Sequence, residues 1–163
     1  MARAVALRML TGAPRSRHQL EEALARREVP EEVAGRVLDR FTEVGLVDDE
    51  EYARMLVRSR HSERGLSRRA LGVELRRKGV DDETAQAALA TIDGDDEERA
   101  ARVLVRKRLA GTRGLEREVR VRRTLAALGR KGYAPGLVLG LVREELALEG
   151  EESDDDAWPL PED

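Results

Sequence analysis

A segment of about fifty residues occurs three times in this chain, which restricts it to folds in which one small unit is copied and stacked on itself. Displacement by 51 residues carries Ser16 onto Ser67, Leu20 onto Leu71, Leu24 onto Leu75, Arg26 onto Arg77 and Val29 onto Val80. Ala53–Arg60 matches Ala101–Arg108 at six of eight positions, and Leu75, Arg77, Lys78 and Gly79 match Leu128, Arg130, Lys131 and Gly132 at an offset of 53. The third copy has five extra residues in the loop from Gly111 to Glu118. The copies divide the chain into 1–47, 48–94 and 95–149, followed by a segment 150–163 outside the repeat.

Each copy reads as three helices. In the second, Gly45 is placed to end the preceding helix in the left-handed conformation that glycine adopts at low cost, with Leu46 set to touch Phe41 one turn back. Asp48 and Glu51 have the spacing of a capping box that opens the next helix. Its apolar stripe is Tyr52, Ala53, Leu56 and Val57. Gly65 breaks the chain, Leu71 and Leu75 form the core edge of a second helix, and Gly79 stops it with Val80 placed to pack on Leu75. The third helix of each copy keeps one stripe at offsets 0, 1, 4 and 5, apolar except at Thr84: Val33, Ala34, Val37 and Leu38, then Thr84, Ala85, Ala88 and Leu89, then Leu137, Val138, Leu141 and Val142. The spacing predicts nine helices and no sheet, an all-α array of three tandem three-helix repeats of helix-turn-helix type. The first copy departs at one point. Glu28 stands where the others have Gly79 and Gly132, so its turn is either strained or built differently.

Charge divides the repeats. Residues 54–78 hold nine bases against two acids, and 99–131 hold twelve against two, while the first repeat is balanced at eight to seven. Too few acids lie within helical reach to pair these bases, so the second and third repeats read as carrying a surface for a polyanion. The candidate contacts are Arg54, Arg58, Arg60, Arg68, Arg69, Arg76, Arg77 and Lys78 in the second repeat. In the third they are Arg106, Lys107, Arg108, Arg122, Arg123, Arg130 and Lys131. The formal charge of −3 for the whole chain hides this, because 150–163 contributes seven acids and no base. That segment lacks an apolar period and reads as a disordered acidic tail. It serves solubility, or folds back over the basic repeats with Trp158 as the reporter.

Several chemistries have no support. The absence of cysteine rules out disulfides and thiolate metal sites and fits the reducing cytoplasm. No apolar run has the length of a membrane span. His18 and His61 lie on separate helices without a recurring partner, and no phosphate-cradling glycine motif or strand-type alternation is present. The acid runs 48–51 and 95–98 are explained by helix N-termini. Neither an enzyme nor a cofactor site is expected.

Read together, the segment GLVDDEEYA, the following VRSR and then LRRKGV resemble the RecX family of bacterial RecA regulators. Gly45-Leu46-Val47-Asp48-Asp49 with Tyr52-Ala53 carries most of the resemblance, at a place where the family usually has Gly-Leu-Ile-Asp-Asp and then Phe-Ala. Arg77-Lys78-Gly79 carries the rest. The resemblance covers the body of the chain to about residue 148 and implies an elongated, curved helical protein. It implies a protein that binds the RecA–DNA filament and inhibits recombinase and coprotease activities. Because the aromatics sit at core or capping positions, contact with single- or double-stranded DNA is expected to be without sequence preference, and the chain is expected to act as a monomer and to inhibit the ATPase as well. The resemblance brings no catalytic residues. The alternative from the same repeats is a helix-turn-helix transcriptional regulator, which would need base-reading side chains on one recognition helix. A plain interaction scaffold would have no affinity for nucleic acid at all.

Overall fold

The computed structural model describes residues 1–155, and among them there are nine helices and no strand. The helices are α1 (Ala2–Gly12), α2 (Arg17–Ala25), α3 (Glu31–Glu43), α4 (Asp49–Arg64), α5 (Arg68–Arg77), α6 (Asp82–Leu89), α7 (Gly94–Ala110), α8 (Arg117–Arg130) and α9 (Pro135–Asp155). They pack as three triplets in which each helix touches the other two. The repeat read from the sequence is therefore a repeat of packing. α9 runs to Asp155, past position 150 where the acidic tail was expected to begin. Leu146, Ala147, Leu148 and Glu149 are strong helix formers that carry the helix on. The remainder of that segment, Trp158 included, lies outside the described residues.

The first two triplets form one compact unit, residues Met1–Arg64 with Arg68–Ile92. The second unit is the short corner Gly65–Ser67 together with the chain from Asp93 onward. In the first unit, Leu20, Leu24 and Leu38 close one core with Phe41 and Val47, and Leu71 and Leu75 do the same in the next triplet. Each fully buried leucine stabilises by about 1.5–3 kcal/mol relative to an exposed one. In the second unit, Ala101, Val105 and Leu109 of α7 pack against Val138, Leu141, Val142 and Leu146 of α9, with Leu128 of α8 between. Tyr133 is 3 % exposed there, and its hydroxyl donates to the Gly65 carbonyl at 2.7 Å. Burial pushes its pKa up to about 12, so the hydroxyl remains a donor.

The helix stops share one backbone geometry. At the end of α5 the Val80 N–H bonds the Leu75 carbonyl and the Gly79 N–H bonds that of Arg76. Leu46 to Phe41 with Gly45 to Thr42, and Tyr133 to Leu128 with Gly132 to Gly129, repeat the pattern. The expected contact of Leu46 on Phe41 is not the one that fills the core. Val47 is 3 % exposed and joins the Phe41 cluster, whereas Leu46 is left 49 % exposed.

Glycine at these stops also serves a joint between repeats. Ser16, fully buried, accepts from the Gln19 N–H as the cap of α2 and donates through the same oxygen to the Lys78 carbonyl at 2.5 Å. One hydroxyl thus closes a helix start and satisfies a carbonyl left over at a helix end. Ser67, 51 residues on, uses its N–H for the corresponding carbonyl of Lys131 at 3.0 Å. His18, one turn into α2, lies so close to Gly79 that a Cβ there would fall under 3.0 Å from its ring and Cβ.

Glu28 closes its turn with the same two hydrogen bonds, Val29 to Leu24 and Glu28 to Ala25, with φ at 58°. The turn is not built differently; it holds a glutamate in a glycine conformation, and Glu28 is exposed where Gly79 is packed against a neighbour. Left-handed backbone costs an ordinary residue about 1–2 kcal/mol, partly offset by the greater unfolded-state freedom of glycine. Glu28→Gly is therefore expected to raise stability by about 0.5–1 kcal/mol. The check is a urea midpoint that rises at unchanged slope; a lower midpoint would contradict the strain.

Candidate nucleic-acid interface

α5 is held in place by its buried edge, Leu71 and Leu75, so its opposite side must face water. That side carries Arg69 and Arg76, seven residues and about 10 Å apart along the axis, with Val73 between them 40 % exposed. Arg77 is also exposed, and Arg68 and Lys78 are half-buried. None of these five bases has an ion pair among the described residues. α8 repeats the arrangement in the second unit. Thr124, Ala127 and Leu128 are buried, and Arg122, Arg123 and Arg130 are exposed and unpaired among the described residues. Lys107 and Arg108 extend this charge at the end of α7, where cations also suit the helix C-terminus. Lys131 is half-buried in the turn whose carbonyl holds Ser67.

Four of the candidate residues have other partners. Glu51 holds Arg54 at 3.0 Å and lies 3.6 Å from Arg58. It therefore neutralises part of α4 instead of simply completing a box with Asp48, whose own carboxylate accepts from the Glu51 N–H. These are exposed pairs, worth about 0–1 kcal/mol, and a stronger anion can displace them. Arg60 differs. Its Nε lies 3.0 Å from Glu74 with both side chains largely covered, which ties α4 to α5 and raises the Arg60 pKa through that hydrogen bond. Arg106 bonds Glu145 of α9 at 2.9 Å. Arg60 and Arg106 are thus parts of the scaffold first.

The sequence windows overstate the third repeat because its acids come from far along the chain. Arg102 reaches Glu144 at 2.8 Å and Glu145 at 3.0 Å, and Arg120 grips Glu149 with two nitrogens at 2.8 and 3.0 Å. Those glutamates lie on α9, 29 to 43 residues away, where no local pairing rule would find them. α2, the counterpart of α5 and α8 in the first repeat, is self-neutralised: Glu22 lies 3.2 Å from His18 and 3.9 Å from Arg26.

Among the described residues the aromatic side chains are not available for stacking. Phe41, Tyr52 and Tyr133 are 4, 7 and 3 % exposed. The arrangement offers guanidinium groups on two equivalent helices and no ring faces, which suits contact with phosphates over reading of bases. Among the described residues no group of three or more His, Cys, Asp or Glu could hold a metal, and no helix is long and apolar enough to cross a membrane.

Comparison with known proteins gives a consistent picture. Residues 2–41 match the family model described as RecX, first three-helix domain, and 48–89 the one described as RecX, second three-helix domain. The chain is 56 % identical over 161 residues to "Regulatory protein RecX" of Thermobifida fusca, covering 99 % of this chain and 85 % of that one. It is 52 % identical over 153 residues to the protein of the same name from Streptomyces coelicolor, covering 94 % and 81 %. The crystal structure of RecX from Lactobacillus salivarius superposes with a TM-score of 0.77 at 20 % identity over 88 % of this chain and 93 % of that one.

Proposed function

The chain belongs to the RecX family, and from that premise we propose that it is a non-enzymatic regulator that binds the RecA–DNA filament and inhibits RecA's recombinase, ATPase and coprotease activities. The observation that carries this reading is the pair of arginine faces without an ion pair among the described residues, Arg69 and Arg76 on α5 and Arg122 and Arg130 on α8. A filament with DNA at its centre is a repeating polyanion, and each of the two basic faces offers cations to its phosphates. Neither α5 nor α8 contains an Asn or Gln with which to pair adenine, which favours a sequence-independent ligand over an operator. The acting species works in the cytoplasm, on single- or double-stranded DNA within the filament.

The test is RecA-catalysed, DNA-dependent ATP hydrolysis with this protein well below equal stoichiometry. Wild type should inhibit. Arg69→Glu with Arg76→Glu should weaken inhibition by roughly tenfold or more and reduce the salt dependence of binding by about one unit of log slope for each phosphate no longer neutralised. Circular dichroism should be unchanged, because both residues are exposed. Inhibition equal to wild type by the doubly reversed protein would remove the assignment. Preference for one duplex sequence over unrelated ones would favour a transcriptional regulator.

A further inference from the structure

The first repeat lacks an unpaired arginine face on α2, yet it carries a different surface. A groove of about 450 Å³ between α1, α3 and the turn after α3 is lined by Val37, Phe41, Val44 and Leu46, with Arg3, Arg36 and Arg40 around it. Val44 and Leu46 are 52 % and 49 % exposed. Leu46 is held there by the backbone, since its N–H bonds the Phe41 carbonyl at 2.8 Å while Val47 goes into the core. The apolar rim is thus fixed before any ligand arrives. Arg3 and Arg36 have no ion pair among the described residues, and Arg40 has only the exposed Glu43 at 3.1 Å. Three cations around an apolar floor call for a ligand that brings carboxylates and a bulky apolar side chain together.

We propose that this groove is a protein-docking site, occupied by an acidic, apolar-tipped segment on the surface of a RecA protomer. The proposal rests on the reading of the chain as a filament regulator and adds a division of labour: the first repeat contacts protein, and the arginine faces of the later repeats contact nucleic acid. A nucleic acid is a poor occupant. Its phosphates have no use for Val44 and Leu46, and Phe41 is 4 % exposed and presents no ring face for a base. An apolar centre within a polar rim in which arginine is enriched is the anatomy of a protein interface.

The experiment uses the full chain with Leu46→Asp and, separately, Arg36→Glu. Association is measured with RecA assembled on a single-stranded oligonucleotide and with the same oligonucleotide naked. Each variant should associate with the RecA filament about tenfold more weakly, the loss expected of an interface anchor, and bind the naked oligonucleotide within about twofold of wild type. Arg36 is an exposed helix residue, so its reversal tests the groove even if Leu46→Asp disturbs the turn. Filament association equal to wild type in the Arg36→Glu protein would overturn the proposal. So would a parallel loss on naked DNA, which would make the groove a nucleic-acid site. If wild type binds the oligonucleotide but not the filament, the regulator reading and the groove's partner fall together, a pattern distinct from variants that behave as wild type.

Discussion

Gly79→Ala should cost about 3 kcal/mol, whereas Gly45→Ala, at a turn of the same geometry, should cost only about 1 kcal/mol. Both glycines are left-handed, at φ 76° and 79°, so the backbone cost is common to the two. They differ in what a Cβ would meet. Nothing lies within 4 Å at Gly45, while at Gly79 the Cβ and ring of His18 are already inside contact distance. His18 cannot retreat cheaply, because the next residue but one before it, Ser16, is bonded to the Lys78 carbonyl beside Gly79. Forcing the helices apart would strain or break that bond and expose part of the joint between the first two repeats. Urea unfolding of the two variants measures the difference, and the double variant His18→Gly with Gly79→Ala should recover part of the loss through a favourable coupling. Equal costs at the two glycines would mean that the joint contributes nothing.

The same joint shows which parts of the architecture were legible in the sequence. Helix stops, caps and stripes are local, so the recurrence of Ser16 at Ser67, Leu24 at Leu75 and Gly79 at Gly132 was enough to recover three triplets of helices. That Ser16 bonds Lys78 and His18 lies against Gly79 was not legible, because the repeat period marks equivalent places and says nothing of contact. Glu28 could be singled out as the odd residue of the series, but whether it was strained depended on its φ. Charge was legible in sign and coarse location. The faces of α5 and α8 follow from which leucines are buried. The neutralisation of Arg102, Arg106 and Arg120 does not, since Glu144, Glu145 and Glu149 arrive from α9 through tertiary packing. The groove beside Leu46 was hidden for a related reason: the sequence placed Leu46 on Phe41, and the adjacent Val47 took that place in the core.

Glu145→Ala should lower the stability of the second unit by about 2–3 kcal/mol at neutral pH, somewhat below the cost of breaking a wholly buried pair because Arg106 is more than half exposed. Glu145 is 8 % exposed and joins α9 to α7 through Arg102 and Arg106. Truncation leaves Arg106 without a carboxylate partner among the described residues, while Arg102 keeps Glu98 and Glu144. The hydrogen bond from Arg106 holds the Glu145 carboxyl below the ordinary glutamate value of 4.5 in the folded protein. A carboxyl depressed on folding stabilises in full above its unfolded pKa, and that contribution is lost as pH falls through the folded one. The gap in stability between wild type and Glu145→Ala should therefore be widest at neutral pH and narrow progressively below pH 4.5. A gap that stays constant through the carboxylate range would show that Glu145 acts through packing alone. The same substitution should move affinity the other way. With Arg106 freed of its carboxylate beside Lys107 and Arg108, binding to single-stranded DNA should tighten, most at low salt where added charge is least screened. A loss of stability with a gain of affinity in one variant would separate the arginines that hold this fold together from those available to the proposed nucleic-acid ligand.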